Sequence, residues 1–202
     1  CLFRAIRIMK CSIVDIHTHR PTGKALEPSF AGIHPWQAET RRIEEIVPRF
    51  GEVDLVGEIG LDYAGTVGRE AQLRIFREQL DWAERLGQPV VLHRVKAFEA
   101  VMRELTPHAL LTVIFRGFIG SSQQAAEAVK RGYYLSFGER TFRSPRTVEA
   151  LRRTPVENLF AETDESDVPI EEIYRRIAQA KDLDPELLKC GIYRNYREIF
   201  ER

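Results

Sequence analysis

Short apolar runs recur along the chain, each followed by an amphipathic stretch. They lie at 12–17, 30–34, 54–59, 89–93, 110–115, 133–137 and 158–162. Apolar residues dominate successive positions in these runs, the pattern of strands buried on both faces of a parallel sheet. Between the runs a helical period takes over: in Arg69–Leu86, Leu73, Phe76, Leu80 and Ala83 fall at i, i+3, i+7 and i+10. Ser144-Pro145, Asp167-Val168-Pro169 and Asp184-Pro185 each offer an N-cap with proline at or near the first turn. Strand starts spaced by roughly one strand, one helix and two loops predict βα repetition with seven clear strands. The stretch 188–200 reads either as an eighth strand or as a helix.

Such alternation fits both a doubly wound open sheet and a closed barrel. The polar residues separate the two. His17, His19, His34, Glu58, Asp62, His93 and Asp164 all fall at, or just beyond, the C-terminal ends of predicted strands. Barrel enzymes place their chemistry on that face, so the expected fold is α/β, a short (β/α) barrel of TIM type. At 202 residues the chain has room for one such domain, expected over 9–202. Residues 1–8 read as upstream of a natural start at Met9.

Composition narrows the function classes. Apolar residues make up 44% and charged residues 30%, which excludes a disordered or collagen-like chain. The longest uncharged run, 105–115, is far short of the ~20 apolar residues that span a bilayer, so no membrane partner is expected. Thirty basic and thirty acidic residues cancel, and net charge points to neither nucleic acid nor an anionic surface. Within the basic set, 24 residues are Arg and 6 are Lys. Arg suits bidentate contacts with phosphate, although solvated surface residues explain the excess equally well. Cys1, Cys11 and Cys190 form an odd set without CxxC spacing, so a disulfide framework or cysteine-ligated zinc site is not expected, and a reduced cytoplasm fits best. Nothing in the sequence signals an oligomeric state.

Candidate chemistry begins at Asp15-Ile16-His17-Thr18-His19. On a strand, residues two apart point the same way, so Asp15, His17 and His19 would share a face, with the imidazoles about 6–7 Å apart at the backbone. That spacing suits two ligands on one divalent metal, but an isolated HxH is common by chance. Glu58 adds a carboxylate inside the apolar run 55–61, where it needs either a metal or an arginine partner. His93 and Asp164 end two further runs.

Together, DIHTH at 15–19, GIHPW at 32–36, GEIGLDY at 57–63, PVVLH at 89–93, YYLSFG at 133–138 and ETDES at 162–166 resemble the TatD-like family of metal-dependent hydrolases, within the amidohydrolase-like group of barrels. The resemblance implies one metal held by His17, His19, Glu58 and Asp164, with Glu58 bridging to a second metal bound by His93. His34 sits in GIHPW but is not among the ligands so implied, which leaves substrate contact and packing equally open for it. His108 lies before the fifth predicted strand, away from that face, and reads as a surface residue.

One segment departs from the family pattern. Where the resemblance expects HxFxG, the chain reads Arg116-Gly117-Phe118-Ile119-Gly120. Arginine keeps its proton in proteins and has no lone pair to offer a metal. The second site is therefore compromised, and the alternatives are a one-metal enzyme, an enzyme in which Arg116 supplies charge to a phosphate, a protein without catalysis, or an Arg116 that swings out to solvent. His93-Arg94-Val95 departs in a smaller way from the HxR found in many relatives.

The activity implied is metal-dependent hydrolysis of DNA phosphodiesters; in this reading Asp164 takes the proton of the water, and Arg116, where the chain departs from the family, is the candidate to stabilise phosphoryl charge. Amide, ester or aminoacyl hydrolysis on the same barrel, or a non-catalytic metal binder, are the alternatives. The His/His/Glu/Asp donor set suits Zn, Mn, Ni or Fe, and Mg with less histidine preference.

Overall fold

The computed structural model describes residues 11–201; the expectation for residues 1–8 lies outside the described residues. Six parallel strands form one sheet in chain order: β1 (Phe30–Ala31), β2 (Leu55–Asp62), β3 (Val90–Val95), β4 (Val113–Phe115), β5 (Tyr134–Phe137) and β6 (Leu159–Ala161). Short α1 (Val47–Phe50) lies between β1 and β2. Helices α2 (Arg69–Leu86), α3 (Phe98–Glu104), α4 (Ser122–Lys130) and α5 (Pro145–Arg153) join the later strands in turn, and α6 (Ile170–Lys181) and α7 (Pro185–Phe200) follow β6. This is the predicted α/β alternation, with the sheet left unclosed by backbone pairing. Phe50, Phe76, Phe115, Phe118, Phe137 and Phe160 are fully buried and fill the core. Among the described residues, no helix is long and apolar enough to cross a membrane.

Six strands are formed among the described residues, not seven, because the run 12–17 is not one. Its backbone groups find separate partners. The Val14 amide donates to the Tyr174 hydroxyl (3.1 Å), which donates back to the Val14 carbonyl (2.9 Å). The Asp15 amide donates to Leu26 O, and the Ile16 amide to Ala161 O at the end of β6. A helix side chain and a local turn thus replace one neighbour of a ladder, while β6 supplies the other. Asp15 consequently does not share a site with the histidines: its carboxylate accepts from the amide (2.9 Å) and the hydroxyl (2.6 Å) of Thr163.

The second predicted strand is also shortened. Ile33 is paired not by a neighbouring strand but by the fully buried Gln79 of α2, which accepts from Ile33 N (2.6 Å) and donates to Ile33 O (3.1 Å). Gln79→Ala would leave two buried backbone groups unpaired, at ~1–3 kcal/mol each. Urea unfolding is expected to show a loss of about 2–6 kcal/mol. A loss under 1 kcal/mol would mean that water or backbone relaxation replaces the amide.

The stretch 188–200 is helical within α7, N-capped by Asp184, which accepts from the amides of Glu186 and Leu187. Ser144 caps α5 as predicted, whereas α6 starts after Pro169, leaving Asp167 outside its cap. A disulfide joins Cys11 to Cys190 in α7, overturning the expectation of unpaired cysteines. Its halves lie 179 residues apart in sequence, so only the tertiary fold brings them together. His108 is buried, with Nδ1 2.8 Å from Glu84 Oε2, because the turn after α3 packs back onto α2. It is not a surface residue.

Candidate metal centre

The strand ends deliver their polar residues to one face. His17 and His19 arrive on the N-terminal segment, which meets the chain just past β6 through the bridge Thr18 to Asp164. Glu58 lies within β2, where the β2–β3 register shifts between Val56 and Ile59, and irregular pairing of this kind re-aims side chains near functional sites. Two residues on, Gly60 has φ +140°, and a Cβ there would stand 2.0 Å from His93 O, so only glycine lets β3 approach this closely. His93 ends the buried part of β3, and Arg116 directly follows β4. Asp164 follows β6 with φ +56°, a left-handed backbone that aspartate tolerates better than most residues.

Each central carboxylate faces two ways. Glu58 Oε2 lies 3.4 Å from His17 Nε2 and 3.5 Å from His19 Nε2, and Asp164 Oδ1 lies 3.8 and 3.7 Å from the same nitrogens. On the other side, Glu58 Oε1 lies 2.9 Å from His93 Nδ1 and 3.7 Å from His34 Nε2. Two ligand-competent groups result, His17/His19/Asp164 and His34/Glu58/His93, with Glu58 reaching both.

Arg116 is not turned to solvent. Its side chain is 14% exposed. Nε donates to Glu58 Oε1, Nη1 donates to Asp164 Oδ2 (2.7 Å), and Nη2 stands 3.0 Å from His93 Nδ1. Burial alone would lower the guanidinium pKa, but the charges of Glu58, Glu162 and Asp164 raise it. Burial likewise opposes the charge on Glu58, yet the surrounding imidazoles and Arg116 hold its carboxyl well below the usual range. His34 is pushed down to about 4 by burial and by His93, so its imidazole is neutral with a lone pair at pH 7.

Both ring nitrogens of His17 are buried with no hydrogen-bond partner among the described residues. An orphaned imidazole of this kind is costly in a dry site, and its Nε2 faces two carboxylate oxygens at distances too long for good hydrogen bonds. The donor set fits a divalent cation. His17, His19, Glu58 and Asp164 are the residues that could hold it.

His19, His34, Glu58, Asp62, His93, Arg116 and Asp164 line one cavity, with the fully buried His17 beside Glu58, whereas Asp15 and His108 lie elsewhere. Further residues carry roles that the sequence did not show. The Trp36 indole N–H donates to Asp62 Oδ2 (2.8 Å), and that carboxylate oxygen also lies 3.2 Å from His93 Nε2. Asp62 thereby orients a histidine of the site from behind. Ser136 and Glu162, hydrogen-bonded to each other, sit beneath Gly117, whose amide donates to Ser136 Oγ (3.2 Å). No local spacing marks these contacts, which join separate strand ends.

The profile of the family described as TatD related DNase matches residues 25–201. The chain belongs to that family. It is 33% identical over 157 residues to the "Uncharacterized metal-dependent hydrolase YjjV" of Escherichia coli, a match that covers 71% of this chain and 61% of the relative. It is 29% identical over 202 residues to the "3'-5' ssDNA/RNA exonuclease TatD" of Citrobacter rodentium, covering 85% of this chain and 76% of that protein. The "Deoxyribonuclease Tat-D" of Schizosaccharomyces pombe is 26% identical over 156 residues, covering 67% and 50%. This TatD-related chain spans about half to three-fifths of the length of several curated relatives that it matches. Among solved structures, E. coli YjjV superposes with a TM-score of 0.78 at 24% identity, covering 87% of this chain and 77% of that one. A TatD family hydrolase from Entamoeba histolytica gives 0.77 at 16%, covering 88% and 75%. These likenesses support the barrel-type α/β fold.

Proposed function

We propose that this chain hydrolyses phosphodiester bonds in nucleic acid with a divalent cation, Zn, Mn, Ni or Mg, held by His17, His19, Glu58 and Asp164. The observation that carries this is the buried His17 imidazole, unpartnered at both nitrogens, whose Nε2 faces Glu58 Oε2 and Asp164 Oδ1. Nuclease names among the relatives support the substrate class. A divalent cation supplies Lewis acidity at such a site, lowering the pKa of water and polarising a phosphoryl oxygen. Asp164 takes the proton of the attacking water and passes it to the leaving oxygen, the work of a carboxylate within hydrogen-bond reach. Arg116 presents fixed positive charge to the phosphoryl oxygens.

A cavity of about 710 Å³ opens beside these residues, with Phe30, His34, Trp36, Arg41, Arg49 and Arg140 in its lining. The three arginines supply phosphate contacts without net charge on the chain. Trp36 is 62% exposed although its indole N–H is fixed by Asp62, a rigid flat surface for a base. His34 contacts substrate from the same side. A cytoplasmic location belongs to the same proposal; its support is the nucleic-acid substrate, since the Cys11–Cys190 bond removes the argument from unpaired thiols.

Cleavage of a labelled single-stranded oligonucleotide tests this reading. Activity is expected with Mn²⁺ or Zn²⁺, none after chelation, and recovery on adding the ion back. Cleavage that persists in chelator, or turnover of small carboxylic esters with none of the oligonucleotide, would overturn it.

A further inference from the structure

We infer that Arg116 is a built-in cation that takes the place of a second metal ion, so that the chain holds one divalent ion at His17/His19/Glu58/Asp164 and none at His34/Glu58/His93. This rests on the metal-dependent reading of the site and specifies its stoichiometry.

The two ligand-competent groups meet at Glu58, and the carboxylate divides its oxygens between them. Oε2 faces the His17/His19 side, while Oε1 is the oxygen that faces His34 and His93. Arg116 Nε donates to that Oε1. Asp164 divides in the same way: Oδ1 faces the two histidines and Oδ2 accepts from Arg116 Nη1. One oxygen of each carboxylate is thus left to a cation on the histidine-pair side, and the other oxygen of each already carries a positively charged partner.

His93 closes the argument. An imidazole nitrogen offers either one lone pair or one hydrogen. Nδ1 lies 2.9 Å from Glu58 Oε1, which only accepts, and 3.0 Å from Arg116 Nη2, which only donates, so whether it carries a hydrogen or a lone pair it is already engaged and leaves no electron pair for a metal. A second ion at this group would need the Glu58 and His93 atoms that Arg116 engages, and it would approach a charge that arginine does not release by deprotonation. Swinging the guanidinium away is opposed by its setting. The Arg116 amide donates to Leu92 O and the Gly117 amide to Ser136 Oγ, so the backbone is held on both sides of the side chain. Gly117 itself has φ +48°, and a Cβ there would meet Glu162 Oε1 at 3.1 Å, which ties the residue after Arg116 to the strand end beneath it.

The test is ion counting on the full chain. Protein loaded with excess Zn²⁺ and freed of unbound ion is expected to contain one zinc per chain by elemental analysis. Arg116→His, which replaces three donors with a ligand and removes the charge, is expected to contain two. Loading the unmodified chain with Mn²⁺ gives a check that no variant's folding affects: isolated manganese signals are expected in the electron paramagnetic resonance spectrum, without those of a spin-coupled pair. Two zinc ions or a coupled manganese pair in the unmodified chain would overturn this inference alone. An Arg116→His protein with one zinc or fewer would overturn the assignment to Arg116. An unmodified chain that binds no ion would overturn both this inference and the hydrolase reading.

Discussion

Asp164→Asn is expected to lower the rate of oligonucleotide cleavage by roughly 10²–10⁴-fold, the usual worth of a positioned acid or base. The substitution keeps the size of the side chain and an oxygen for the histidine-pair side, but an amide does not accept a proton from water. It also weakens the contact with Arg116 Nη1 at 2.7 Å, a pair only 14% and 22% exposed, so some stability is lost as well. The larger effect should fall on kcat, with urea unfolding run alongside to measure the smaller one. Steady-state kinetics at saturating Mn²⁺ would measure it. A kcat within tenfold of the unmodified chain would remove Asp164 from proton transfer and leave it, at most, a ligand.

Reduction of the Cys11–Cys190 bond is expected to have the largest effect on stability. It closes a loop 179 residues long, for which chain entropy in the unfolded state gives about 5 kcal/mol. Net stabilities of single domains are about 5–15 kcal/mol, so a change of that size removes a third or more of the total. Urea midpoints measured in chelator, with and without dithiothreitol, should separate widely. Cys190→Ser should match the reduced protein and show no further response to the reductant. If reduction leaves the midpoint unmoved, the bond contributes no net stability, because strain or residual unfolded structure cancels the entropy.

Local periodicity carried most of the architecture. Arg69–Leu86 is a helix over the predicted span, and β2 to β6 form where apolar runs occur, because both depend on the period of the side chains. The failures have a common cause. Runs 12–17 and 30–34 look like strands, but Tyr174 and Gln79 answer their backbone groups from distant helices, and no pattern within five residues reveals that. At the site, His17, His19, Glu58, His93 and Asp164 were legible because each interrupts or ends an apolar run, where a polar group needs a reason. The place of Arg116 was legible from the motif around it. Its three partners were not, nor was the link from Trp36 through Asp62 to His93, since these depend on how neighbouring strand ends converge.

The unclosed sheet has a consequence for the site. The N-terminal segment that supplies His17 and His19 is fastened to the rest by a disulfide, by Tyr174, by the Asp15–Thr163 contact and by a few bonds to β6, and not by a continuous ladder. Glu58 comes from the sheet proper. A cation held by all four residues would therefore span the seam, and ion affinity and seam closure would form a single linked equilibrium. Fraying of the segment would weaken binding, and a bound ion would act as one more rung across the gap.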